Sequence, residues 1–170
     1  MPLVEWFKSF DLGIEEFDEH HRHLVGLLNI VFDVFMGGAG HEALRAVLDE
    51  LINYATYHFT AEEHWMGVHD YPQLTQHCEE HGQFSSKVRE IQEDFRNGKT
   101  KLSLEVMHFL KNWLTNHILR TDAEYGLFAT GLPRATHWGQ SPGRAESPVR
   151  YFQLHDELQA PIEDYMGQCR

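Results

Sequence analysis

Residues 58–81 read HFTAEEHWMGVHDYPQLTQHCEEH, and the spacing within this stretch decides the fold. His58 and Glu62 stand four positions apart, as do His77 and His81. On an α-helix a residue four positions on is rotated by about 40° and raised by roughly 6 Å. Both members of each pair can therefore reach one point beside their helix. Gly67 to Tyr71 breaks the pattern between the pairs, and Pro72 suits a helix start. The stretch predicts two helices joined by a short turn, each carrying a pair of metal-ligating side chains.

Working outward, the same period continues on both sides. Asp18 is the expected N-cap of a first helix running to about Met36, with Leu24, Leu27, Leu28, Val31, Phe32 and Phe35 facing inward. Gly37 to Gly40 closes it, and a second helix is expected from about His41 to Met66. The third runs from Pro72 to about Arg96, and Ser103 caps a fourth that reaches about Thr130. Short connections make neighbours antiparallel, so the chain is expected to be all-α, an up-down-up-down four-helix bundle. Residues 1–17, with Trp6, Phe7 and Phe10, read as a packed aromatic arm. Residues 1–130 are expected to form one domain with this arm. Residues 131–170 begin with a Pro/Gly-rich linker and are expected to form an extension holding one short helix around Phe152 to Leu158.

A chain of 170 residues, 42% of them hydrophobic, suffices for one domain with a real core. A formal charge of -12 argues against a nucleic-acid partner and against docking on anionic lipid. No apolar run approaches the ~20 residues of a membrane span. Met1 to Asp11 has no signal-peptide pattern. The two cysteines, Cys78 and Cys169, form no disulfide framework. The expected location is therefore the cytoplasm. The extension is the segment left for a protein partner.

Three further residues of the first and fourth helices complete the set: His21, and His117 with Asp122. A His/Glu pair alone is common on helix surfaces. Packing does not account for ligating residues on all four predicted helices, each on or beside the apolar stripe. His117 and Asp122 are five positions apart, which turns a regular helix by about 140°. The fourth helix is thus expected to depart from α geometry there, for example through a π-bulge, or the site to lie to one side. The other eight of the thirteen histidines, His20, His23, His64 and His69 among them, are not expected to bind metal. Cys78 points to another face than His77 and reads as a small packed residue. Leu24, Val25, Phe59, Trp113, Leu114 and Ile118 are candidates to line an apolar pocket. Trp113 and Tyr54, four residues before His117 and His58, are expected to cover those rings.

Four segments carry a family resemblance: Gly13-Ile-Glu-Glu-Phe-Asp18-Glu-His-His21, His58-Phe-x-x-Glu62-Glu63, Tyr71-Pro72 with His77-x-x-x-His81, and Trp113-Leu-x-x-His117-Ile with Asp122. Over about residues 6–130 the chain resembles the hemerythrin family, and its bacterial members in particular. The resemblance implies two iron ions with an oxo or hydroxo bridge inside a four-helix bundle, and reversible binding of dioxygen. It implies that His77, His81 and His117 hold one iron, that His21 and His58 hold the other, and that Glu62 and Asp122 bridge them. His20 departs from the pattern, since Gln is expected there.

Two octahedral irons offer twelve positions. Five imidazoles, two bridging carboxylates and one bridging oxygen occupy eleven, which leaves one open on the two-histidine side. Such a histidine-rich, nearly saturated set favours binding of oxygen over its activation, unlike the glutamate-rich sites of ferritin-like proteins. The expected function is oxygen carriage, storage, delivery or sensing, without enzymatic turnover. The alternatives are a di-iron redox enzyme acting on peroxide or nitric oxide, and an interaction module controlled by metal or redox state.

Overall fold

A computed structural model describes residues 1–131. Its elements are a 3₁₀ turn at Lys8–Phe10, then α1 (Glu15–Met36), α2 (His41–Val68), α3 (Leu74–Arg96), α4 (Leu104–Asn116), a π-helical segment (His117–Asp122) and α5 (Ala123–Thr130). The last three run on as one rod, so the described residues form the expected four-helix bundle. Helix α1 packs on α2 and α4, and α2 packs on α3. Stacking of Phe84 on Trp113, with centroids 3.8 Å apart, joins α3 to α4. Among the described residues no helix is long and apolar enough to cross a membrane. The extension beyond residue 131 lies outside the described residues.

The buried side chains divide into two apolar clusters. The larger is built from Leu24, Leu28, Val31, Leu48, Phe59, Met107, Leu110 and Leu114, among others. The smaller is Phe17, Trp65, Met66, Tyr71 and Tyr125. On α1, His21 lies between Phe17 and Leu24; on α2, Glu62 lies between Phe59 and Trp65. The candidate ligands therefore form a polar layer clamped between two apolar ones. Hydrophobic burial on both sides holds the layer in place.

The first helix begins three residues before the expected N-cap. Ile14 occupies the cap position without a side-chain bond. Asp18 instead folds back from inside the helix and accepts the backbone N–H of Leu12 at 2.5 Å and of Gly13 at 3.1 Å. Gly13 takes the left-handed conformation, φ +86°, that this reversal needs. Asp18 thus ties the arm to the bundle, a long-range use of a residue type that favours capping. Leu12 then crosses α5 at Gly126, where an added Cβ would sit 3.1 Å from the Leu12 carbonyl oxygen. Farther out, Asn29 pairs with both backbone groups of Val4 at 2.9 Å, and Arg22 lies over the Trp6 ring. Asp18→Ala removes two charge-assisted bonds and is expected to cost about 2 kcal/mol. For a domain of this size that lowers the melting temperature by roughly 4–8 °C. A thermal melt by circular dichroism checks it, and an unchanged melting point would show that the arm is held without Asp18.

Ser103 caps α4 as expected, accepting the N–H of Val106. The fourth rod then departs from α geometry over His117–Asp122, where the π segment replaces a regular turn. Cys78 is buried on α3 and is not a free thiol, which removes unpaired cysteines as an argument for a reducing compartment.

Candidate metal centre

Four helical elements deliver the seven side chains. His21 comes from α1, His58 and Glu62 from α2, His77 and His81 from α3, and His117 and Asp122 from the π segment. All seven are buried; His21, Glu62 and Asp122 are 0% exposed. They form two overlapping groups. One is Glu62, His77, His81, His117 and Asp122, and the other is His21, His58, Glu62 and Asp122. Within each group the ligand atoms all lie within 4.8 Å of one another. The two carboxylates belong to both.

The spacing suits metal coordination. Ligand atoms about 2.1 Å from an ion, at right angles to each other, lie about 3.0 Å apart. In the larger group His81 Nε2 is 2.9 Å from His117 Nε2, His117 Nε2 is 3.1 Å from Asp122 Oδ1, and His77 Nε2 is 3.2 Å from the same oxygen. In the smaller, His21 Nε2 is 3.1 Å from His58 Nε2 and 3.2 Å from Asp122 Oδ2. Asp122 thus turns one oxygen to each group. Glu62 is divided differently: its Oε1 is 3.4 Å from His21, and its Oε2 lies between the groups, 3.4 Å from His58 and 3.5 Å from His81.

The π segment explains how His117 and Asp122 meet. A regular helix would point them about 140° apart. The i→i+5 turn is wider, so the fifth residue returns nearer to the first. Both then face the bundle axis.

Buried polar atoms ordinarily find hydrogen bonds. Among the described residues, every buried side-chain nitrogen or oxygen that lacks one belongs to this set: His21 Nδ1, Glu62 Oε2, His77 Nδ1 and Nε2, His117 Nδ1, and both oxygens of Asp122. Four of these, Glu62 Oε2, His77 Nε2 and the Asp122 pair, are the atoms that face the centre. Imidazole nitrogens and carboxylate oxygens in this arrangement are donors for a borderline cation such as iron or zinc.

Protonation follows from burial and from the two carboxylates. Burial disfavours charge on His21 and His77, but contacts with Asp122 and Glu62 outweigh it and lift them to about 9 and about 10. Burial prevails at His58, which falls to about 3, and drives His81 well below the usual range with help from His117 and His77. For Glu62 and Asp122 burial alone would favour the neutral acid, yet the surrounding imidazoles hold both well below ordinary carboxylates. The two carboxylates thus favour positive charge at the centre. Metal would displace the protons on His21 and His77.

Outer contacts brace the layer. Tyr125, 0% exposed, donates its hydroxyl to Glu62 Oε1. Glu63 accepts from His81 Nδ1 at 2.8 Å, and burial raises its own carboxyl to about 7. Glu80 Oε2 lies 3.3 Å from His117 Nδ1 and accepts the Thr121 hydroxyl at 2.8 Å. The sequence reading missed these three. Tyr125 carries a signal, being three residues after Asp122 on one helical face. Glu63 does not, since it points about 100° away from Glu62.

Of the other histidines, His20 is buried, but its Nδ1 meets the outer nitrogen of His58 at 3.5 Å rather than the centre. It packs between Tyr54 and Tyr57. His64 is exposed, and His69 stacks on Trp65 just past the end of α2. Trp113 covers His117 as expected, with ring centroids 4.4 Å apart, and Phe59 stacks on His81 at 3.9 Å. Tyr54 packs on His20 and His23.

The family model described as the hemerythrin HHE cation binding domain matches residues 12–127. The chain belongs to the hemerythrin family. It is 32% identical over 125 residues to a bacteriohemerythrin of Stenotrophomonas maltophilia, which covers 74% of this chain and 80% of that relative. It is 30% identical over 127 residues to a bacteriohemerythrin of Clostridium acetobutylicum, covering 72% of this chain and 98% of the relative. A crystal structure of wild-type hemerythrin superposes with a TM-score of 0.69 at 27% identity, covering 74% of this chain and 96% of that one. The hemerythrin match spans all four helical rods and all seven converging side chains.

Proposed function

We propose that His21, His58, Glu62, His77, His81, His117 and Asp122 hold two iron ions, and that this hemerythrin-family chain binds dioxygen reversibly. The observation that carries the reading is the cluster of orphaned buried polar atoms, confined among the described residues to this set and spaced as ligands around two centres that share Glu62 and Asp122. His77, His81 and His117 serve one ion, and His21 and His58 the other. When bound, the iron pair supplies the electrons and the open coordination position for dioxygen.

The protein's own side chains favour binding over turnover. Glu62 and Asp122 are fully buried, and Tyr125 braces Glu62, which holds its carboxylate at the centre. Phe59 and Trp113, stacked on His81 and His117, shut water out from one side. Both also line a small apolar cavity of about 20 Å³ within the bundle, together with Leu24, Leu28 and Leu114. A space of that size admits about one small molecule, and an apolar one stays dry. Four of the six residues expected to line a pocket do so. Val25 and Ile118 do not line it and are buried in the larger apolar cluster.

We further propose that residues 1–130 are the complete iron-binding domain and that the extension supplies no ligand. One experiment tests both statements. The full chain and a version ending at residue 131 are reduced, loaded with iron and followed by optical spectra as oxygen is admitted and removed. Two irons per chain and a reversible spectral change are expected in both. Irreversible bleaching with rapid consumption of peroxide would replace oxygen binding by the redox-enzyme reading. Loss of iron on truncation alone would place the extension in the site.

A further inference from the structure

We propose that Glu63 and Glu80 make the two halves of the centre unequal, by placing a carboxylate behind two of the three imidazoles on the His77/His81/His117 side and, among the described residues, none behind those on the His21/His58 side. The inference rests on the ligand assignment above. The Nε2 atoms of all five histidines face the shared carboxylates, so a metal held there leaves the ring proton on Nδ1. What each Nδ1 touches then tunes the bond on the other side of the ring.

On the three-histidine side, His81 Nδ1–H donates to Glu63 at 2.8 Å, with His81 2% and Glu63 8% exposed at the side chain. His117 Nδ1 lies 3.3 Å from Glu80 Oε2, an ion-pair contact rather than an aligned hydrogen bond. Thr121 holds that oxygen at 2.8 Å and belongs to the π segment. The same local widening thus supplies a ligand, Asp122, and the clamp on a charge behind another ligand, His117. On the two-histidine side, His21 Nδ1 is buried without a hydrogen bond, and His58 Nδ1 faces the imidazole of His20. A carboxylate behind an imidazole raises its basicity and adds negative charge close to the metal, where little water screens it. The three-histidine half should therefore take the first cation and hold it more tightly. It should also stabilise the higher metal charge more than the His21/His58 half does.

The test uses the metal-free full chain titrated with cobalt(II), followed by visible absorption and by competition with a chelating dye. The variants are Glu63→Gln and Glu80→Gln, which keep an acceptor oxygen and remove the charge. Glu79→Gln on the exposed face of α3 is the control for net charge. The wild type is expected to fill in two steps. Each of the two variants weakens the first step by about 10–100-fold, the range usual for outer-sphere partners of metal ligands, and Glu79→Gln leaves it unchanged. In the iron-loaded protein the same two variants raise the midpoint potential, which a merely structural role would not do. First-step affinities equal to wild type in both variants, or an equal loss in Glu79→Gln, overturn the proposal. Glu80 is partly exposed, so its variant folds even where Glu63→Gln does not. A wild-type protein that takes up no cobalt would instead remove the ligand assignment, and this inference with it.

Discussion

His77→Ala is expected to strip the metal from the three-histidine half of the centre. His77 Nε2 stands 3.2 Å from Asp122 Oδ1 and 3.8 Å from Glu62 Oε2, at the junction of both carboxylates with the larger group. Its ring also packs on His81, His117 and Tyr125, with centroids 4.5, 5.0 and 5.7 Å away. Removing it deletes a ligand and opens space for water beside the other two. Loss of a mere outer partner costs about 10–100-fold in metal affinity, so loss of the ligand itself should exceed about 100-fold. Metal analysis after dialysis is expected to give at most one iron per chain, with the optical spectrum of the pair abolished. Two irons and an unchanged spectrum in this variant would take His77 out of the centre.

Removing the metal from the wild-type protein is expected to destabilise the whole bundle. The polar layer lies between two apolar clusters, and without cations it leaves a set of buried polar atoms without partners. An ion that binds only the folded chain, present about 1,000-fold above its dissociation constant, adds about 4 kcal/mol. At roughly 2–4 °C per kcal/mol for a domain of this size, even one bound ion raises the melting temperature by about 10 °C. Melts of the chelated and reloaded chain measure the difference. Coincident melting curves would mean that the charged imidazoles of His21 and His77 compensate the carboxylates as well as metal does.

The sequence by itself determined the helices and most of the site, because both rest on a period that is local. Residues four apart share a face of any α-helix, so His58 with Glu62 and His77 with His81 declared their direction without knowledge of the fold. The apolar stripes around Leu24, Leu48, Phe84 and Leu110 did the same for the core. What local periodicity could not supply is anything that depends on the neighbouring rod. The role of Asp18 is one case, for it looked like a cap and serves as an anchor six residues back along the chain. His20 is another: it is buried beside the centre, yet touches it only through the far side of His58. Whether the fourth rod bends its geometry at His117–Asp122 or the site shifts aside was left open by the 140° offset, and tertiary packing chose the π turn. The two apolar clusters fix the rod at both ends, so the extra residue is taken up between them, where widening the helix brings Asp122 to the axis. Glu63, Glu80 and Tyr125 acquire their roles the same way. Their partners lie 18, 37 and 63 residues away in sequence, and only the assembled bundle brings such groups within hydrogen-bonding or ion-pair distance.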